Sequence, residues 1–288
     1  MSAPAINIQL RAEALAARLP PLLVEAERIA ATVALGVHGR RRAGPGESFW
    51  QFRRYQPGDA ASLIDWRQSA RNDPLYVRET EWMAAQSVWL WADGSASMRW
   101  RSRRDLPEKR ERALLLALAV AALLLRGGER VGVLGLGRPP LMGRAVLPRI
   151  AAEMVDRDER GVLPVASLPR FGHVVLISDF LMDVAAVAAA IADWAGAGVH
   201  GHLVHLLDPA EEALPYAGRT HFFGLEGEDD MLAPNAESLR DEYRAKLAAH
   251  RAALAEAARR WHWGFTTHHT DGPPEPALLA LHQALEGR

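Results

Sequence analysis

The chain has 288 residues, enough for one large core or a core with a small accessory module. Hydrophobic residues make up 49% and charged residues 24%, which excludes a disordered or fibrous protein, and a formal charge of -1 gives no overall pull toward nucleic acid or an anionic membrane. Cysteine is absent, so disulfides, thiolate metal sites and cysteine nucleophiles are excluded as well.

Met1 to Leu10 lacks the basic start and apolar run of a secretory signal, and the longest apolar stretch, Ala113 to Leu125, is too short to span a bilayer. A cytoplasmic protein without a membrane span is therefore expected. Residues 8 to 35 read as two helical pieces broken at Pro20-Pro21. The second carries Leu22, Leu23, Ala26, Ile29, Ala30 and Val33 at helical spacing, the pattern of a docking face. From Gly36 to Gly46 glycine and proline are too dense for a regular element. Phe49 to Asp59 interleaves aromatics with arginines before a Pro-Gly-Asp turn. Ala60 to Arg71 then reads as a short helix with Asp59 as its N-cap, and Leu75 to Met83 as a strand.

From about residue 84 strands alternate with helices. Val88 to Ala92 is a short apolar run, the pattern of a strand buried on both faces. Glu108 to Arg126 is a strong helix ended by Gly127-Gly128. Strands are expected at Arg130 to Leu136, Val174 to Ile177 and Val199 to Leu206, with helices at Leu147 to Val155 and Val184 to Trp194. A last zone adds a strand near Thr220 to Phe223, a helix from about Ala236 to Trp261, a strand at Trp263 to Thr267 and a helix at Glu275 to Leu285. Such alternation predicts an α/β fold over residues 84–288, with a doubly wound, mostly parallel sheet and helices on both faces. Residues 1–83 form an N-terminal helical and irregular extension.

Ligands of a doubly wound sheet gather outside the carboxyl ends of its strands. Asp93-Gly94-Ser95-Ala96-Ser97 follows the strand ending at Ala92, and Ser178-Asp179 follows the strand ending at Ile177. Magnesium and similar hard cations want about six oxygen ligands and often keep several waters. An aspartate followed by two alternate hydroxyls in a glycine-softened turn supplies three oxygens, and Asp179 from a neighbouring strand closes the set. The simpler alternative is that Asp93 or Ser95 caps the following segment.

Asp93, Ser95 and Ser97, with Asp179, resemble the metal-ion-dependent adhesion site of von Willebrand factor A domains, which implies a Rossmann-like fold and Mg2+ or Mn2+ as the bound ion. Upstream, Gly39-Arg40-Arg41-Arg42, Gly44 to Phe49, Arg53-Arg54-Tyr55-Gln56-Pro57-Gly58-Asp59, Ile64-Asp65-Trp66 and Ser69-Ala70-Arg71 are similar to the signature of the bacterial domain of unknown function family 58. Members of that family often accompany MoxR-type AAA+ ATPases, so the resemblance implies an adaptor or co-chaperone. Arg53, Arg54, Tyr55, Asp59, Trp66 and Arg71 are its candidate partner-binding residues. One departure stands out. The adhesion site usually includes a threonine between the two motifs, whereas here Ser102 and Ser167 are the only hydroxyls between them.

Eight arginines between Arg40 and Arg78, interleaved with aromatics, could pair phosphates and stack on bases. The nearby carboxylates Glu47, Asp59, Asp65, Asp73, Glu79 and Glu81 neutralise most of them, which favours a structural or partner-docking segment over nucleic acid. The basic run from Arg99 to Arg112 reads as a solvated helix face. His200 and His202 share one face of their strand and His205 the other, with no metal-ligand pattern. Three functions remain open: a metal-bearing protein-interaction module, a metal-dependent hydrolase, and a structural adaptor with a vestigial metal loop. No Gly-x-x-x-x-Gly-Lys-Ser/Thr loop is present for ATP hydrolysis.

Overall fold

The computed structural model describes residues 23–34, 49–57, 59–70, 74–80, 85–155, 161–227 and 229–286. The helical piece expected before Pro20, the segment Gly36 to Gly46 and Arg71 lie outside them. The chain divides into two compact units, Gly36–Ala85 and the remainder. Helix α1, residues 23–34, belongs to the larger unit and not with the arginine-rich segment. Ala26, Ile29 and Ala30 are fully buried on its inner face, and Arg28 reaches Glu275 at 3.8 Å.

In the smaller unit β1 (Phe49–Arg54) pairs antiparallel with β2 (Tyr76–Thr80), so the aromatic and arginine run is a strand. The single helix expected from Ala60 to Arg71 is replaced by a 3-10 turn at Ala61–Leu63, a bridge from Ile64 to Val77, and a four-residue helix α2 (Trp66–Ser69). The cap explains the difference. Asp65, not Asp59, accepts from a helix amide, that of Gln68 at 2.9 Å. Asp59 is engaged by the Arg53 guanidinium at 2.6 and 2.7 Å and by the Gln56 amide at 2.8 Å. Those bonds hold its carboxyl down at about 2.

The larger unit is built on a six-stranded sheet. Its strands are β3 (Ser87–Ala92), β4 (Arg130–Val133), β5 (Leu141–Met142), β6 (His173–Ser178), β7 (His200–Leu207) and, after the small hairpin β8 (Thr220–Phe222) and β9 (Met231–Ala233), β10 (Gly264–His269). The spatial order is β10-β7-β6-β3-β4-β5, parallel throughout except for the short edge strand β5. This is the mixed α/β architecture with a mostly parallel sheet that the alternation predicts. Pleating sends Trp89 and Trp91 to one face and Val88 and Leu90 to the other.

Helix α3 (Lys109–Arg126) is buried around its whole circumference from Ala113 to Leu125, as a helix apolar on every side must be. It packs with α4 (Leu147–Val155) and, at the end of the chain, α8 (Pro274–Glu286). Against the tryptophan face lie α5 (Val184–Gly196) and, after the five-residue α6 (Pro209–Ala213), α7 (Arg240–Arg260). Trp194 of α5 stacks on Trp263 with planes 3° apart, and each indole N–H is satisfied, by Ala166 O at 2.8 Å and Val199 O at 3.2 Å.

Gly201 of β7 underlies that stack, where a Cβ would come within 2.3 Å of the Trp263 ring. Gly201→Ala is expected to destabilise the protein by roughly 1–3 kcal/mol through overpacking, read from urea denaturation. A change below a few tenths would show that the indole pair shifts freely. A second expectation concerns acid. His205 and His268 are buried, and burial is the main cause that pushes both imidazoles down to about 4. They stay neutral in the fold but protonate near 6.5 once unfolded, so stability present above 6.5 is lost as pH falls toward 4. His268→Leu should lessen the loss of stability between pH 7 and 5 by on the order of 1 kcal/mol in melts at the two pH values.

Candidate functional site

From β3 the chain passes through α3 to β4 on one side, then returns past β3 to β6 on the other. The order therefore reverses between β3 and β6, the switch point at whose carboxyl ends a sheet of this kind places its ligand crevice. Parallel register sets Ala92 opposite Ile177, and the Asp93 amide donates to the Ile177 carbonyl at 3.0 Å. The two acidic loops meet at this point. Asp93, Ser95, Ser97, Ser178 and Asp179 are all buried.

Asp93 Oδ1 accepts from the Ser95 amide at 2.9 Å and its Oδ2 from the Ser178 hydroxyl at 2.6 Å. Ser95 Oγ and Ser97 Oγ lie 3.2 Å apart, and Ser97 Oγ donates to Asp179 Oδ2 at 2.7 Å. All four residues expected to hold a metal are thus brought together. Burial pushes the Asp93 carboxyl up, opposed by its bonds from Ser178 and Ser95.

Four further groups at the site are not legible in the loop motifs. Lys109, the first residue of α3, is fully buried, with Nζ 2.8 Å from Asp179 Oδ2 and 2.5 Å from Glu211 Oε1. Burial opposes its charge, but Asp179 and Glu211 outweigh it and hold the ammonium above its usual range. The solvated face expected from Arg99 to Arg112 is therefore corrected at Lys109 and at Arg110, which is also buried and donates to Val155 O at 2.9 Å. Glu211 turns its second oxygen to the Asp208 amide at 2.8 Å, and Asp208, fully buried, accepts from the amides of Ala210 and Ser102 at 2.9 Å. Glu226, from the loop between β8 and β9, brings a carboxylate oxygen to the Ser97 amide at 3.1 Å. Ser167 is exposed, and Ser102 meets the site through its backbone amide, which donates to Asp208. Lysine, not a hydroxyl residue, supplies the extra contact to Asp179.

The donor set suits a hard cation. Every side-chain oxygen is that of a hydroxyl or a carboxyl group, and among the described residues the carboxyl groups of Asp93, Asp179, Asp208 and Glu211 outnumber the ammonium of Lys109. Among the described residues no three histidines, aspartates or glutamates form a metal-holding group, so the two serines and water must supply much of any coordination shell.

In the smaller unit Arg53 and Asp59 are paired with each other, and the Tyr55 hydroxyl donates to the Asp59 carbonyl at 3.3 Å. Trp66 is 65% exposed. At the far end of the large sheet His173, His200 and His202 line a cavity of about 230 Å3 with Gln283. His205 instead packs near Phe180, His250 and Phe265. No helix of the described residues is long and apolar enough to cross a membrane.

These features define a mixed α/β protein whose parallel sheet carries a hydroxyl- and carboxylate-lined crevice at its switch point. The chain belongs to DUF58, a family of proteins of unknown function, which it matches over residues 51–253. Uncharacterized proteins of Mycobacterium bovis and Mycobacterium tuberculosis are each 28% identical to it, over 75% of this chain and 72% of theirs. Among solved structures, an aerotolerance-related membrane protein from Bacteroides fragilis is 14% identical with a TM-score of 0.39, covering 71% of this chain and 100% of that one. A conserved hypothetical protein, BatB, from Bacteroides thetaiotaomicron has the same identity and TM-score, with 70% and 98% covered.

Asp179→Asn would leave the buried Lys109 ammonium with one carboxylate in place of two. A loss of about 3–5 kcal/mol is expected in urea denaturation, and Lys109→Met combined with Asp179→Asn should recover part of it. A double variant that is no more stable than Asp179→Asn alone would show that the ammonium was not the source of the loss.

Proposed function

We propose that this protein is a non-enzymatic protein-interaction module of the cytoplasm, with a von Willebrand factor A-like sheet. On this reading Asp93, Ser95, Ser97 and Asp179 hold Mg2+ or Mn2+, and the protein serves as adaptor or co-chaperone to a MoxR-type AAA+ ATPase. The observation that carries the metal part is the chain of hydroxyls across the β3–β6 switch point: Ser95 Oγ lies 3.2 Å from Ser97 Oγ, which donates to the Asp179 carboxylate at 2.7 Å. When bound, a hard divalent ion supplies a point charge that an acidic side chain of a partner can complete. Glu226 supports that kind of partner, since its carboxylate already stands over the Ser97 amide from a separate element.

The hydroxyls argue against a serine nucleophile. Ser97 and Ser178 donate to aspartates, and among the described residues no histidine hydrogen-bonds either of them or Ser95. The ATPase part rests on family membership and on the resemblance of the arginine-rich signature.

Calorimetric titration with magnesium and manganese tests the metal part. The wild-type chain should bind one equivalent, and Asp93→Ala should bind at least about tenfold more weakly, given the loss of a carboxylate from the site. Identical, metal-free behaviour in both would end it. Binding to the ATPase that survives both chelator and Asp93→Ala would move the docking surface to Arg53, Arg54, Tyr55, Asp59, Trp66 and Arg71.

A further inference from the structure

Of the 34 basic residues in the chain only Lys109 and Lys246 are lysines. Lys246 lies exposed on α7 and pairs with Glu242, as surface lysines do. Lys109 is different. It is fully buried, and it occupies the first residue of α3, where the helix amides disfavour a positive charge. Local chemistry thus opposes this residue twice, by desolvation and by the helix dipole, and such conflicts concentrate at functional positions. An ammonium is compact and close to a point charge, whereas a guanidinium is a broad planar fork. Among the described residues, the cation buried against Asp179 is thus the side chain most like a bound metal ion.

Asp179 Oδ2 is where the two roles collide. It accepts from Lys109 Nζ at 2.8 Å and from Ser97 Oγ at 2.7 Å, so the ammonium and a metal-loop hydroxyl share a single carboxylate oxygen. Glu211 Oε1, at 2.5 Å, gives the ammonium a second anchor away from that oxygen. We infer that Lys109 is a tethered cation that competes with the divalent ion for Asp179. It holds the carboxylate when no metal is bound, leans on Glu211 when metal takes Asp179, and so sets the affinity of the site.

This inference rests on the metal reading of the crevice, yet it makes predictions that reading does not. Removing the ammonium should strengthen metal binding. Removing its alternative anchor should weaken binding, because the ammonium is then left to Asp179 alone. A residue with a purely structural role would weaken binding in both cases. Glu211→Gln is mild, since its amide oxygen can still accept from the Asp208 amide.

Calorimetric titrations of the full chain with manganese, on wild type, Lys109→Met and Glu211→Gln, test it. Lys109→Met should bind about tenfold or more tightly than wild type and Glu211→Gln several-fold more weakly, the size expected when one nearby charge is removed. Manganese should also raise the melting temperature of Lys109→Met more than that of wild type. Equal affinities in all three proteins, or weakening in both variants, would overturn the inference and leave the metal reading standing. No heat and no melting shift in any of the three would overturn both. Should Lys109→Met fail to fold in chelator, folding restored by manganese but not by sodium at equal ionic strength supports the inference. If it stays unfolded in both, Glu211→Gln decides: unchanged or tighter binding overturns the inference.

Discussion

The parallel pairing of β3 with β6 is the constraint on which the rest of this structure depends. It sets Ala92 against Ile177, so that the residues leaving the two strands enter the same crevice. In the sheet order β4 lies beyond β3 on one side and β7 beyond β6 on the other, so right-handed crossovers carry α3 and α5 to opposite faces. The arrangement of helices on both faces follows from that division. Trp91 and Phe180, each two residues or fewer from an acidic loop, belong to the same buried apolar cluster as Leu134.

Burial makes the chemistry of the crevice demanding. Carboxylates taken out of water must find donors, and each oxygen of Asp93 and Asp179 does: backbone amides serve two of them, serine hydroxyls serve two, and Lys109 adds a charge. Effective dielectric falls inside a protein, so this single ammonium influences its neighbours far more than any of the exposed arginines. The surface pairs Arg103–Asp105 and Arg259–Glu256 are exposed on both sides and contribute little by comparison.

Much of the scaffold is legible in the chain itself. Val88 to Ala92 and Val174 to Ile177 are apolar runs because both faces of a central strand are covered, and the structure extends the second by one residue at each end. Asp93, Ser95, Ser97 and Asp179 are legible for a related reason, as polar residues placed directly after such strands. The remainder of the site is not, because it is assembled from afar. Glu211 lies 102 residues from Lys109, and Glu226 lies 129 residues from Ser97. Neither belongs to a local pattern. Lys109 did carry a signal, as a rare lysine among arginines placed against a helix dipole. In the smaller unit, aromatics alternating with arginines concealed β1, whose partner β2 begins more than twenty residues later. The two-residue β5 and three-residue β9 are too short for any periodicity to register.

Glu211 joins two events that would otherwise be separate. One of its oxygens meets the Lys109 ammonium and the other closes the capping box of α6 on the Asp208 amide. A helix of five residues has almost no stability of its own and depends on such caps. The neighbouring Glu212 meets Arg251 of α7, so α6 spans from the buried cluster to an outer helix. The crevice is thereby wired to the exterior through a short, fragile link, and a displaced ammonium would be felt there as a fuse is, at the weakest turn of the circuit.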